Sequence, residues 1–180
     1  MSRSTSGPMS RSTSGATTGD PGKKLRLEDF LPYRLSILSN RISRAIANSY
    51  GQRFGLTIRE WRIMAVLGET PNISAGELAE RTAIDKVAVS RAVRSLLGRG
   101  RLLRRFSTED RRRSVLRLSK AGERLYDEIA PIAQGYEKSL LARLSANEQR
   151  QLDKALTRLM EIQPEVDAEI FSRRGPPATE

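Results

Sequence analysis

The chain has 180 residues and a formal net charge of +11, with 32 Lys and Arg, 21 Asp and Glu, and neither Cys nor His. This length fits one domain with tails or one subunit of a dimer. The missing thiols and imidazoles exclude Cys nucleophiles, His general bases and ordinary zinc sites, and leave only carboxylate-based metal or acid chemistry open. We expect no cofactor. Without disulfides, a long apolar stretch or a signal segment, the sequence favours a cytoplasmic protein that does not cross a membrane.

The positive charge is concentrated in one segment. Residues 86–118 contain eleven Lys and Arg against two Asp and Glu, whereas residues 119–180 contain nine basic and eleven acidic residues. Scattered charges indicate only a solvated surface. A block this one-sided inside a folded region is more typical of a nucleic-acid-binding surface. The charge therefore points to a polyanionic partner that one segment contacts.

Both ends of the chain are predicted to be tails. Residues 1–24 include 16 Ser, Thr, Gly or Pro and no Leu, Ile, Val or aromatic residue, so they cannot bury enough apolar surface to fold alone. The heptapeptide MSRSTSG at residues 1–7 recurs at 9–15, which fits a cloning duplication or a second start better than a functional repeat. A Gly-Pro-Pro sequence stops helix propagation and predicts a flexible tail over residues 173–180.

Between the tails, the pattern is mostly helical. Apolar residues recur at steps of three and four over residues 25–56, which predicts a long amphipathic first helix. Asp85 is a candidate N-cap for a helix that ends near Gly98 or Gly100. Three capping boxes, in which Ser or Thr is followed three residues later by Glu, mark further helix starts. They are Thr57 to Glu60, Ser74 to Glu77 and Ser145 to Glu148.

Residues 57–118 combine a short helix, a tight turn, a second helix and a basic hairpin. The hairpin strands are predicted at Leu102–Phe106 and Ser114–Leu118, joined by a charged turn over residues 108–113. This order predicts a winged helix-turn-helix domain. Its second helix would enter the major groove of double-stranded DNA, and its hairpin, the wing, would reach the adjacent minor groove.

Long helices are predicted on both sides of this domain, over residues 25–56 and 119–172, with a bend at Pro131. Their apolar stripes are longer than one small domain needs to bury, which indicates a homodimer. The predicted fold class is therefore mainly α with a small β-wing: a winged helix-turn-helix domain flanked by long dimerisation helices.

The predicted recognition helix has an inner and an outer face. On a helical wheel, Val89, Val93 and Leu96 face inward, and the opposite side presents basic and small residues. Arg99, Arg101 and Arg105 are also expected to face phosphates. The predicted DNA contacts are Ser74, Lys86, Val87, Ser90, Arg91, Arg94, Arg104, Arg111, Arg112 and Arg113.

Residues 30–162 resemble the multiple antibiotic resistance regulator (MarR) family of bacterial transcription factors. The stretches that carry the resemblance are Glu77–Arg81, Val89–Arg91 and, most specifically, the wing sequence Asp110–Ser119 followed by Gly122. The resemblance implies a homodimer on a pseudo-palindromic operator, with Arg112 in the minor groove and Asp110 orienting an Arg near the recognition helix. Arg101 departs from the family, which usually has an apolar residue there.

Members of this family commonly repress genes until a small molecule binds between the dimerisation helices and the winged domain. The lack of Cys and His disfavours thiol oxidation and zinc as signals, which leaves a small aromatic acid as the expected effector. Segments around Phe54, Trp61 and Lys86 also resemble members that control aromatic-acid catabolism. Alternatively, the helix serines are only packed or exposed, and Arg62 forms a structural ion pair. The pocket candidates are Ser36, Ser39, Asn40, Ser43, Trp61 and Arg62.

Two other classes of function compete with a ligand-responsive repressor. A constitutive architectural or RNA-binding protein would use the same arginines without sequence preference. However, four Phe, four Tyr and one Trp are sparse for a platform that stacks single strands. An enzyme is disfavoured because the sequence has no nucleophile motif, Gly-rich phosphate loop or metal-ligand cluster.

Overall fold

The computed structural model describes residues 24–106 and 114–173. The chain divides into two compact units, residues 1–40 and 41–180, and the first helix crosses the boundary between them. No helix in the described ranges is long and apolar enough to span a membrane. The elements are α1 (Leu31–Phe54), α2 (Ile58–Glu69), α3 (Ala75–Thr82), α4 (Lys86–Gly98), β1 (Leu102–Phe106), β2 (Ser114–Leu118), α5 (Lys120–Leu141) and α6 (Ala146–Arg173).

The predicted helix starts are confirmed, because each capping box forms. At the start of α2, the Thr57 hydroxyl accepts from the Glu60 amide at 3.2 Å, and the Glu60 carboxylate accepts from the Thr57 amide at 2.8 Å. The same reciprocal pair opens α3 at Ser74 and α6 at Ser145. Asp85 caps α4 by accepting from the Ala88 amide at 2.8 Å. These bonds satisfy amides that the helix itself leaves unpaired.

The core of the second unit holds α4 in place. Val89, Val93 and Leu96 are at most 1% exposed, so the inward face predicted for this helix is confirmed. They belong to one buried apolar cluster with residues from α2, α3, β2 and α5, including Met64 and Ile129. Because the apolar face of α4 is removed from water, its polar face is held toward solvent.

The predicted hairpin is confirmed. β1 and β2 are antiparallel, with Leu102 opposite Leu118 and Phe106 opposite Ser114. The loop between α2 and α3 adds a further bridge at Ile73. The Leu116 amide donates to the Ile73 carbonyl at 2.8 Å, and the Asn72 amide donates to the Leu116 carbonyl at 2.9 Å. The base of the hairpin is thereby bonded to the helical body.

Candidate nucleic-acid interface

A tight turn joins α3 to α4. Ala83 ends α3 in the left-handed conformation, with φ of 51°, and its amide donates to the Ala79 and Glu80 carbonyls. Asp85 then starts α4 two residues later. The turn therefore places α4 as the second helix of a helix-turn-helix, the helix that reads DNA in this motif.

The solvent face of α4 is basic, as the sequence predicted. Lys86, Ser90, Arg91 and Arg94 are exposed, and Val87 is 61% exposed. Within the described residues, no acidic side chain forms an ion pair with Arg91 or Arg94. The arrangement leaves these cations available to a polyanion, while Val87 offers an apolar contact of the kind that a thymine methyl accepts.

A cleft of about 440 Å³ lies between the start of α2 and the solvent face of α4. Arg59, Arg91 and Arg99 line it together with the helix caps Thr57 and Asp85. Arginines beside a helix N-terminus favour phosphate groups. Arg59 is not among the DNA contacts predicted from the sequence. The signal for Arg59 in the sequence is its position as the second residue of α2, two residues after the capping Thr57.

The wing is described in part. Arg104 and Arg105 on β1 are exposed, as a phosphate-facing role requires. Ser74 is the N-cap of α3, where its hydroxyl accepts from the Glu77 amide at 3.2 Å, and its predicted DNA contact stays a prediction. Four predicted residues lie outside the described ranges: Asp110, Arg111, Arg112 and Arg113.

The prediction that Arg99 and Arg101 face phosphates needs correction. Nη1 of Arg99 donates to the Gly55 carbonyl at 2.6 Å, and Nη2 of Arg101 donates to the Phe54 carbonyl at 2.8 Å. The carbonyls at a helix C-terminus lack intrahelical partners and carry partial negative charge, so cations are stable there. Each guanidinium group thus binds the end of α1 through one nitrogen, while the Arg99 side chain stays partly exposed beside the cleft.

Glu60 connects the start of α2 to α4 and is only 3% exposed. Its carboxylate accepts from the Ser95 hydroxyl of α4 at 2.7 Å and lies 3.7 Å from Nη2 of Arg99. Burial by itself raises the pKa of Glu60. The hydrogen bonds from Ser95 and Thr57 and the Arg99 charge outweigh burial, so the pKa lies below its ordinary value of 4.5. Glu60 is therefore an ionised buried acceptor at neutral pH.

A second cavity, of about 150 Å³, lies beside α2 within the second unit. Three of the predicted pocket residues line it: Ser43, Trp61 and Arg62. Tyr50 also lines the cavity but is not among the predicted pocket residues, because it fits the apolar stripe of α1 equally well. The other predicted pocket residues are Ser36, Ser39 and Asn40. They are exposed residues of the first unit, and their role in a pocket stays a prediction.

Aromatic rings and one cation give this cavity its chemistry. The Trp61 ring lies between those of Tyr50 and Tyr126, with both centroid distances 5.8 Å. Within the described residues, the Arg62 guanidinium forms no ion pair and no hydrogen bond, so the alternative of a structural ion pair finds no support there. Burial raises the pKa of Tyr50 to about 12, while the Arg62 charge acts in the opposite direction. Tyr50 consequently keeps its proton at neutral pH.

An exposed basic helix held by a helix-turn-helix and followed by an antiparallel hairpin defines a winged helix-turn-helix protein. A sequence profile described as MarR family matches residues 54–113. A probable transcriptional regulator from Pseudomonas aeruginosa, known as a crystal structure, is 33% identical with a TM-score of 0.63, and the match covers 74% of this chain and 99% of that one. The chain belongs to the MarR family of DNA-binding transcriptional regulators.

Two curated relatives carry more specific names. An HTH-type transcriptional repressor of Mycobacterium bovis is 27% identical over 131 residues, which are 72% of this chain and 91% of that protein. A homoprotocatechuate degradative operon repressor of Escherichia coli is 27% identical over 101 residues, or 56% of this chain and 68% of that protein.

Proposed function

We propose that this chain is a homodimeric repressor that a small aromatic acid releases from a palindromic operator. One observation carries the proposal: a single unit contains both a helix with a basic solvent face and a cavity with an aromatic wall and an arginine that pairs with none of the described side chains. The helix supplies DNA binding, and the cavity supplies a place where a signal can bind. The relative named as a repressor of a homoprotocatechuate operon supports the class of effector.

Apolar side chains that are exposed to solvent in the isolated chain support the dimer. On α6, Leu152, Leu156 and Leu159 are 41%, 40% and 37% exposed. In the first unit, Leu31 and Leu38 are 46% and 54% exposed. Rows of this kind along long helices are unusual on a monomer surface and are typical of an interface. A second copy of the chain is the partner that would bury them, with the two α4 helices then reading the two operator half-sites.

Operator binding tests the DNA part of the proposal. We expect a duplex selected from random DNA to bind two chains, with an affinity that falls steeply with salt as phosphate counterions are released. Replacing Arg91 with Ala removes an exposed cation of α4 and should weaken binding by about 1 to 3 kcal/mol, or roughly 5- to 150-fold. Fluorescence anisotropy gives the affinity, and sedimentation gives the number of chains bound.

Arg150→Ala is the matched control, because Arg150 is an exposed arginine on α6. It should bind the selected duplex as the parent does. Equal affinities for Arg91→Ala and the parent would contradict the recognition-helix assignment. Equal affinity of the parent for a scrambled duplex would instead favour a sequence-tolerant nucleic-acid-binding protein.

The effector class follows from the size and lining of the cavity. A cavity of about 150 Å³ is large enough for one benzene ring. Trp61 and Tyr50 offer ring faces, and the Arg62 guanidinium can bind a carboxylate through two parallel hydrogen bonds. The protonated Tyr50 hydroxyl and the Ser43 hydroxyl are further polar groups of the lining. A single-ring aromatic carboxylate satisfies all of these features.

A thermal-shift series tests this effector class with benzoate, phenylacetate and homoprotocatechuate. A ligand at 100 times its Kd stabilises the folded state by about 2.7 kcal/mol, which raises the Tm of a chain this long by roughly 5 to 10 °C. We expect Arg62→Met to lose that rise because the carboxylate then has no cation. Arg59→Met, which removes an arginine from the same helix but outside this cavity, should keep it. A full rise in Arg62→Met would rule out Arg62 as the carboxylate partner.

A further inference from the structure

We propose that Arg99 and Arg101 couple the cavity to the recognition helix, acting as positioning residues rather than DNA contacts. The two residues are called the arginine clamp below. The inference rests on the proposed function, because it describes how occupancy of the cavity reaches the DNA-binding surface. Three sets of contacts carry it: those at the end of α4, those at the end of α1, and those between α1 and the cavity.

The end of α4 fixes the backbone of the arginine clamp. The Arg101 amide donates to the Leu96 carbonyl and the Gly100 amide to the Leu97 carbonyl, both at 2.9 Å. With Gly100 at φ of 65°, this is a Schellman motif, in which Arg99 is the C-cap and Arg101 lies two residues later. The backbone of the arginine clamp therefore moves with α4.

The side chains of the arginine clamp bind the end of another helix. Their guanidinium groups donate hydrogen bonds to the consecutive carbonyls of Phe54 and Gly55. These carbonyls lie where α1 ends and where Gly55, with φ of 62°, turns the chain. The two contacts join residues 44 and 47 positions apart in sequence. As a result, the C-terminal ends of α1 and α4 cannot shift independently without breaking charge-assisted hydrogen bonds.

The cavity lies one helical turn away from these carbonyls. Tyr50, which is 1% exposed, lines the cavity and precedes Phe54 by four residues on α1. Because the Tyr50 ring is closely packed, a ligand that pushes on it is expected to shift the backbone of this last turn of α1, whose hydrogen bonds make the turn move together. The displacement reaches α4 through the arginine clamp. Nη1 of Arg101 is buried and has no hydrogen-bond partner within the described residues, so the guanidinium has a spare donor for a second arrangement.

Coupling between two sites is reciprocal, so DNA bound at α4 must also alter the cavity. Trp61 is the only Trp of the chain and lines the cavity, which makes its fluorescence a direct readout. We expect the selected operator duplex to change the quenching of Trp61 by acrylamide in the parent. Arg101→Met, measured at saturating duplex, should lose most of that change, and Arg101→Lys should restore part of it.

A second arm measures the coupling from the other side. Homoprotocatechuate should raise the operator Kd of the parent roughly tenfold and that of Arg101→Met less than about threefold. Arg53→Met is the matched control, since Arg53 lies in the last turn of α1 but pairs with Glu128 instead of binding α4. It should keep the parent's Trp61 response.

The outcomes separate this inference from the effector class. The arginine clamp is overturned if the duplex changes Trp61 quenching equally in Arg101→Met, Arg101→Lys and the parent. It is also overturned if the duplex does not change Trp61 quenching in the parent. If instead the duplex changes Trp61 quenching through Arg101 but no aromatic acid binds, the arginine clamp is supported and the proposed effector class fails. If either substituted chain fails to fold, the other variant provides the same comparison.

Discussion

Replacing Gly122 with Ala is expected to lower the free energy of unfolding by about 3 kcal/mol and the Tm by roughly 6 to 12 °C. Gly122 lies in the first turn of α5, which packs against the turn between α4 and β1. A Cβ at this position would lie 2.1 Å from the Arg101 carbonyl oxygen and 3.1 Å from its carbonyl carbon. Because the obstacle is backbone, no side-chain rotation relieves the clash.

The same helix supplies the control. A Cβ added at Gly135 of α5 meets no atom of the described residues within 4 Å outside its own helical backbone. Gly135→Ala should therefore raise stability by about 0.5 to 1 kcal/mol, because Ala loses less backbone entropy than Gly in a helix interior. Chemical denaturation of both variants gives the comparison. Equal stability of Gly122→Ala and Gly135→Ala would show that α5 does not approach the Arg101 carbonyl as closely as described.

The second large effect is expected at Glu60. Glu60→Gln keeps the size of the side chain but removes its charge. The Gln oxygen can still accept from the Thr57 amide, whereas its NH2 group faces Ser95, whose hydroxyl must turn from donor to acceptor. The variant therefore loses the charge-assisted hydrogen bonds and the attraction to Arg99, which together cost about 2 kcal/mol. Glu148→Gln makes the identical change in a capping box on the surface and should alter stability far less. Comparable losses in the two variants would argue against the buried role of Glu60.

The pH dependence of this effect has a defined sign. The pKa of Glu60 in the folded protein lies below its ordinary value of 4.5, so ionised Glu60 stabilises the fold above that value. This contribution is lost as the pH falls through the lowered pKa of the folded state. The stability difference between the parent and Glu60→Gln should therefore be largest near neutral pH and shrink in acid. A difference that grows below pH 4.5 would contradict the direction of the shift.

The local parts of this fold could be predicted from sequence because their causes are local. A capping box places its donors and acceptors within four residues, so the starts of α2, α3 and α6 follow from three short motifs. The inner face of α4 follows from helical periodicity in the same way. The basic outer face could then be read off directly, with Arg91 and Arg94 confirmed as exposed.

Contacts between distant residues could not be predicted in this way. Arg99 and Arg101 carry the same charge as Arg91, and nothing near them in sequence shows that two carbonyls more than 40 positions earlier face their guanidinium groups. Tyr50 was assigned only to an apolar stripe, because periodicity does not distinguish a residue of the core from a residue that lines a cavity. Both errors arise from tertiary packing.

The bridge between Ile73 and Leu116 has a consequence for operator geometry. Because the loop before α3 is bonded to β2, the hairpin base and the helix-turn-helix form a single rigid DNA-binding unit. In such a unit, the distance between the groove that α4 would enter and the adjacent groove is fixed. The unit therefore cannot lengthen to fit operators of different length. We therefore expect any tolerance for altered half-site separation to come from the helices outside residues 57–118. In a dimer, those helices would set the distance between the two DNA-binding units.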